Sequence, residues 1–277
     1  MTGARERRPG PTVRTRVVEV RAGQPLEHED RLATEEPLEI RLGWPGTPAQ
    51  RLAVTMRTPG HDFELAAGWL VTEQILAAGD IASVRYCTDA ELSDLEEFNV
   101  VTVDAAREPL RLPEARRINS ACGVCGTTSI AETIRDAGPR AFDAVVPLEL
   151  VQALPALLRD GQPGFDRTGG LHAAGLFDLS GAPAVIREDV GRHNAVDKVI
   201  GARVLASAAT PPVLVLSGRV GFELVSKAVV AGVAAVVAVG APTSLAVGLA
   251  ADSGLGLAGF TRGDRCVIYS GAARFGV

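Results

Sequence analysis

The chain has little cysteine, few aromatic residues and no long apolar run, and each shortage closes off a class of answers. Its 277 residues include four cysteines, and only Cys122 and Cys125 lie close together. That is no disulfide framework; it fits a reducing compartment in which thiols are kept for reactivity. Aromatic residues make up 4% of the chain, which argues against a base-stacking surface. A net charge of −5 gives no bulk attraction to nucleic acid. The longest apolar stretch, Ala228 to Ala241, contains Gly232 and Gly240 and is closed by Pro242. At about 14 residues it is too short to span a bilayer. The Arg-rich start lacks the apolar segment of a signal peptide. The expectation is a cytoplasmic protein that binds neither membrane nor nucleic acid. With 47% hydrophobic and 22% charged residues, it has enough apolar material for one large or two modest domains.

Two grammars divide the chain. Residues 1–14 are rich in Arg, Pro and Gly and read as a loose tail. Residues 15–117 read as a small α+β subdomain. Within it, Thr15 to Val20 alternates like a strand, and Pro37 to Leu42 and Leu52 to Arg57 form a strand pair across Gly43 to Gly46. An amphipathic helix spans His61 to Gln74, and Phe98 to Val103 is a further strand. Residues 118–277 read as α/β. A capping box, Ser129 to Glu132, opens a helix that stops at Gly138, and a second helix follows Pro147, through Leu148 to Leu158. Strands at Ala173 to Asp178, Ala184 to Arg187, Val213 to Leu216, Ala235 to Val239 and Arg265 to Tyr269 alternate with helices at Asn194 to Ala206, Phe222 to Ala231 and Thr243 to Gly254. Continuous apolar strands between helices predict a mostly parallel sheet covered on both faces.

Cys122-Gly123-Val124-Cys125-Gly126 is the most pointed motif. A Cys-x-x-Cys pair is half a zinc site, a dithiol redox motif or a site that handles sulfur. A structural zinc needs four ligands, and Cys87, Cys266 and four scattered histidines are not in metal-ligand spacing. The flanking glycines let a thiol swing from donor to acceptor, and the following helix start favours thiolate. The plain alternative is two inert thiols. His172 follows Gly169-Gly170 at the start of an apolar strand, a common structural position. Position 174 is Ala, so the His-x-Glu of a zinc deaminase is missing.

Glu188 to Lys198 crowds charge onto one strand-to-helix turn, where Arg192, His193 and free backbone N–H groups suit an anion. The alternative is a solvated cap using Asp189 and Asn194. Ser217-Gly218-Arg219 lies on the carboxyl edge of the predicted sheet, where open α/β folds place ligands. Phe260-Thr261-Arg262-Gly263-Asp264-Arg265 puts two guanidinium forks around a glycine, which suits a pyrophosphate or a guanine nucleotide. It could equally be a charged β-turn.

Together these segments resemble the formate dehydrogenase accessory sulfurtransferase family, FdhD. The resemblance runs through Glu35 to Ile40, Ala53 to Gly60, Glu64 to Leu70 and the Cys122–Gly126 loop. It continues through Thr168 to His172, Asp189 to Lys198, Ser217 to Arg219 and Ala241 to Thr243. It implies a cytidine-deaminase-like α/β core without deaminase activity, acting as a homodimer. It also implies that sulfur arrives from a cysteine desulfurase as a persulfide on Cys122, with Cys125 as relay or resolving thiol. The sulfur then passes to molybdenum bis(molybdopterin guanine dinucleotide) before that cofactor enters formate dehydrogenase. The family's cofactor-binding loop maps onto Phe260, Thr261, Arg262, Gly263, Asp264 and Arg265, with no metal held by protein ligands. Arg219, Lys227 or Arg192 would add charge for the cofactor. Two rival readings remain open, a chaperone that binds the cofactor without sulfur chemistry and a zinc hydrolase of the same fold.

Overall fold

The computed structural model describes residues 10–88, 93, 96–112 and 144–277. Two strands, β1 (Thr12–Arg21) and β2 (Gln24–Ala33), form an antiparallel ribbon ahead of the first layered unit. In that unit β3 (Glu36–Trp44), β4 (Thr47–Arg57), β5 (Ile81–Tyr86) and β6 (Val100–Ala105) make a sheet ordered β4-β3-β6-β5. Alternation along β3 turns Leu38, Ile40 and Leu42 to one face, where they meet Leu65, Trp69 and Leu70 of α1 (Asp62–Thr72). Burying each large apolar side chain contributes about 1.5–3 kcal/mol. The β3–β4 hairpin and α1 stand where the residue pattern puts them. The ribbon strand β2 does not follow from the pattern. Its Gln-Pro-Leu-Glu-His-Glu-Asp-Arg-Leu-Ala sequence is largely exposed and polar, and pairing with β1 is what makes it a strand.

The second unit contains α2 (Leu148–Asp160), α3 (Pro163–Thr168), β7 (His172–Phe177), β8 (Pro183–Asp189) and α4 (Arg192–Leu205). After these come β9 (Val213–Leu216), α5 (Phe222–Ala231), β10 (Ala235–Ala238), α6 (Ser244–Asp252), β11 (Gly256–Arg262) and β12 (Arg265–Ser270). The sheet order is β12-β11-β10-β9-β7-β8. Val213-Leu214-Val215-Leu216 is apolar throughout because both faces of β9 are covered. Leu214 and Leu216 pack with α4, α5 and α6, while Val213 and Val215 pack with Val151, Leu154 and Leu158 of α2.

The expected mostly parallel sheet needs correction. β9, β10 and β11 are parallel neighbours, but β7 runs antiparallel to both β8 and β9, and β12 antiparallel to β11. A parallel connection needs a crossover of roughly a dozen residues. Asp178 to Ala182 and the pair Gly263-Asp264 are too short for one, so hairpins result. Coverage of both faces holds as expected.

The two units meet where α1 crosses α4. A Cβ on Gly68 would lie 1.8 Å from the Asp197 carbonyl oxygen, and one on Gly201 would lie 1.8 Å from that of Glu64. Glycine is therefore required on both helices for backbone to approach backbone. Beside the crossing, Arg187 donates to Glu64 through Nε (2.6 Å) and Nη2 (2.7 Å). Buried Lys227 on α5 donates to both Asp197 oxygens (2.9 and 3.0 Å), to Thr72 Oγ1 (2.9 Å) and to Glu73 Oε1 (2.8 Å).

Candidate functional site: the carboxyl edge of the main sheet

β8, β9, β10 and β11 all end on one edge of the sheet, where β7 begins. Two loops and the last part of β11 are laced together there by backbone bonds. Gly240 N donates to Gly218 O (3.1 Å), Val220 N to Ala241 O (3.0 Å), and Phe260 N to Gly240 O (3.2 Å). Gly240 has to be glycine, since a Cβ would lie 2.7 Å from Gly218 O and 2.8 Å from Arg219 N. Nothing in the residue pattern beyond a glycine after an apolar strand marks that position. The N-termini of α4, α5 and α6 point to the same edge, so their free N–H groups and dipoles favour negative charge there.

On this edge the polar turn of residues 188–198 divides into two parts. Asp189 is buried and accepts from Lys198 Nζ (2.6 Å), Gly191 N (2.8 Å), Asn194 Nδ2 (3.0 Å) and Thr58 N (3.1 Å). Asn194 also donates to Met56 O (2.7 Å), and Lys198 to Thr58 O (2.9 Å). These residues form neither an anion site nor a solvated cap; they are a buried knot that ties the first unit to the second. Arg192 and His193 are left facing the edge. His193 Nε2 lies 2.8 Å from Glu223 Oε2, and Arg192 Nε is buried without a hydrogen-bond partner.

His172 opens β7 opposite Asp189 in the strand register. The neighbouring Ala173 N donates to Ser217 Oγ (2.9 Å), and a Cβ on Gly218 would lie 3.3 Å from His172 Nδ1. Burial, then the charges of Arg192 and His193, hold the His172 ring below its usual value. Asp189 opposes them and Arg219 adds to the depression. Lys227 does not belong to this site. Burial works against its charge, but Asp197 and Glu73 outweigh it and hold the amine above the ordinary lysine value. It is fully committed under the α1–α4 crossing, so it is unavailable to a ligand.

The segment from Phe260 to Arg265 is the β11–β12 hairpin. Gly263 has φ 57°, and Gln152 on α2 donates to Asp264 O (2.6 Å). Phe260 has φ 49° and is 44% exposed, an unusual backbone state for an aromatic residue. The Thr261 Oγ1 next to it is fully buried and has no partner. Arg262 and Arg265 face each other across the hairpin, both exposed, and neither makes an ion pair among the described residues. Like charges directly opposite on a hairpin are destabilising. Strain, an orphaned hydroxyl and unneutralised guanidiniums thus collect in six residues, as they do in segments that clamp a ligand.

Cys122 and Cys125 lie outside the described residues, as do the helix expected from Ser129 to Gly138 and the expected boundary between residues 117 and 118. Cys87, which follows β5 and accepts from Arg41 Nη1 (3.6 Å), and Cys266 on β12 are described, and both are partly buried. Among the described residues no group of three or more His, Cys, Asp or Glu side chains is placed to hold a metal ion. No helix among them is long and apolar enough to cross a membrane.

Comparison with known proteins gives the family. Residues 33–276 match the FdhD/NarQ family. The chain is 46% identical over 269 residues to the sulfur carrier protein FdhD of Nocardia farcinica, covering 95% of this chain and 94% of the relative. It is 46% identical over 277 residues to the protein of the same name from Mycolicibacterium paratuberculosis, covering 96% and 99%. Among solved structures it shares its fold with a candidate formate dehydrogenase accessory protein from Desulfotalea psychrophila, at a TM-score of 0.76 and 23% identity, covering 96% and 99%. The chain belongs to the FdhD/NarQ family.

Proposed function

We propose that this protein is a sulfur carrier serving formate dehydrogenase, loaded by a cysteine desulfurase and discharging onto molybdenum bis(molybdopterin guanine dinucleotide). The reading is carried by Cys122-Gly123-Val124-Cys125-Gly126 in a chain whose relatives in two organisms are sulfur carrier proteins at 46% identity. The Cys122 thiolate attacks the outer sulfur of the donor's persulfide, giving Cys122–S–SH and releasing the donor cysteine as thiolate. The Cys125 thiolate can then attack the inner sulfur, closing a Cys122–Cys125 disulfide and expelling HS⁻ toward the cofactor; an external thiol reopens the disulfide. The cofactor, as substrate, is read as binding at the carboxyl edge. Arg262 and Arg265 take phosphate oxygens, Asp264 accepts from a guanine edge, and Phe260 and Thr261 shape the hairpin around Gly263. Arg192 and Arg219, beside the helix N-termini on the same edge, take further phosphate oxygens. The unopposed Arg262–Arg265 pair supports this assignment, because an anion would relieve their repulsion.

A cytidine-deaminase-like core that has lost deamination, a division into residues 15–117 and 118–277, and a homodimeric, cytoplasmic protein complete the proposal. Ala174, where a deaminase would need its glutamate, supports the loss of that chemistry. The test is to incubate the protein with a cysteine desulfurase and cysteine and measure intact mass. A gain of about 32 Da, one sulfur atom, is expected in the wild type and in Cys87→Ser and Cys266→Ser, and not in Cys122→Ala. An adduct that survives Cys122→Ala would sink the assignment. Full maturation of formate dehydrogenase by Cys122→Ala would favour a chaperone without sulfur chemistry.

A further inference from the structure

His172 is placed as no structural histidine needs to be. It is partly buried, and its ring has no hydrogen-bond or ion-pair partner among the described residues. Its cross-strand neighbour is a carboxylate, but Asp189 is already engaged by Lys198, Thr58, Gly191 and Asn194. The other charges acting on the ring are cationic or become so on protonation. Arg192 and His193 act from the start of α4, and Arg219 from the β9–α5 turn. Of the three, His193 is paired with Glu223, while Arg192 Nε is buried and unpaired. Gly218 leaves the side of the ring open, since any side chain there would begin 3.3 Å from Nδ1.

We propose that His172 is the proton-linked contact of the carboxyl-edge site, neutral when the site is free and protonated when a pyrophosphate-class anion enters between Arg192 and Arg219. The inference rests on the reading that a nucleoside diphosphate group binds at this edge. The balance is simple: the free protein, the anion and one proton from solvent give a complex in which the imidazolium donates to a phosphate oxygen. Without the anion, protonating His172 would add a charge beside Arg192 and Arg219, and burial disfavours it further. With the anion present the surrounding field reverses sign, so the ring becomes easier to protonate. Binding is then tighter at lower pH, down to the value at which the free ring itself protonates.

The experiment is calorimetry of GDP binding at pH 7 in two buffers of different ionisation enthalpy, on the wild type and His172→Gln. The titration of the GDP β-phosphate is common to both proteins and cancels in the comparison. The wild type is expected to take up about half a proton more per GDP than the variant and to lose roughly tenfold in affinity from pH 6 to 8 relative to it. Imidazole NMR of the wild type alone gives a second reading. The His172 resonance should titrate below the usual histidine range in the free protein and at least about one unit higher with saturating GDP. GDP binding with no excess proton uptake and an unmoved His172 titration overturns the role of His172 and leaves the anion site standing. Failure of both GDP and inorganic pyrophosphate to bind at any pH overturns both.

Discussion

Lys198 Nζ lies 2.6 Å from Asp189 Oδ2, and both side chains are almost wholly removed from water. The pair joins the end of β8 to α4, and both partners also bond to Thr58 of the first unit. Removing one member leaves a buried charge uncompensated, which typically costs about 3–5 kcal/mol. Lys198→Met is therefore expected to lower the urea midpoint sharply. A variant as stable as wild type would show that the knot is not holding the units together.

Gly201→Ala should be severe for a different reason. Its methyl group would overlap the Glu64 carbonyl at 1.8 Å, so α1 and α4 would have to move apart. A loss on the order of 2–4 kcal/mol is expected from such overpacking. Gly248 on α6 is the matched control, because a Cβ there meets nothing within 4 Å. Gly248→Ala should be stabilising by about 0.5–1 kcal/mol through helix propensity and chain entropy. Thermal unfolding of the two variants side by side decides both claims.

Acid should weaken the junction through Glu64. Burial pushes its carboxyl up, but the Arg187 hydrogen bonds, with those of His61, outweigh that and bring it down to about 2. A carboxyl depressed on folding stabilises the folded state above its unfolded value near 4.5, and that stability is lost as pH falls from there toward about 2. Allowing for solvent screening, about 1–2 kcal/mol is at stake. Urea unfolding between pH 7 and pH 2.5 should show the wild type losing this increment while Glu64→Gln, weaker at pH 7, converges on it. Parallel acid limbs for the two proteins would contradict the assignment.

Arg265→Ala and Arg192→Ala should each weaken GDP binding by roughly ten- to a hundredfold, the loss of a charge-assisted phosphate contact. Both should still acquire the persulfide, which on the proposed reading needs only Cys122 and the donor. Added salt should weaken binding more in the wild type than in either variant. Lys227→Met should instead lose stability, because Lys227 serves Asp197 and Thr72 inside the protein. Lost sulfur loading with unchanged GDP affinity in Arg265→Ala would reverse this division of labour.

Some of this was legible along the chain. Val213–Leu216 and Ala235–Ala238 are apolar at every position, which is what burial on both faces requires, and both are strands. Phe222–Ala231 is a helix ended by Gly232 at φ 74°, within the bounds its periodicity predicts. β11 was not legible. Gly256 and Gly259 lower its strand propensity, yet they are needed because Phe275, Pro242 and Tyr269 pack close to them.

The candidate site divides along the same line. Residue order by itself determined the Gly-centred turn with an arginine on each side, the Cys-x-x-Cys spacing and the family resemblance, since each depends on neighbours a few positions apart. Which charges are spent and which are free was decided only in three dimensions. Asp189, Lys198, Asp197 and Lys227 look as available in sequence as Arg192, Arg219, Arg262 and Arg265. The first four meet partners up to 155 residues away, Lys227 reaching Thr72, and are consumed in buried knots. A charge can be judged free only when everything packed against it is known, and that is a property of the tertiary structure.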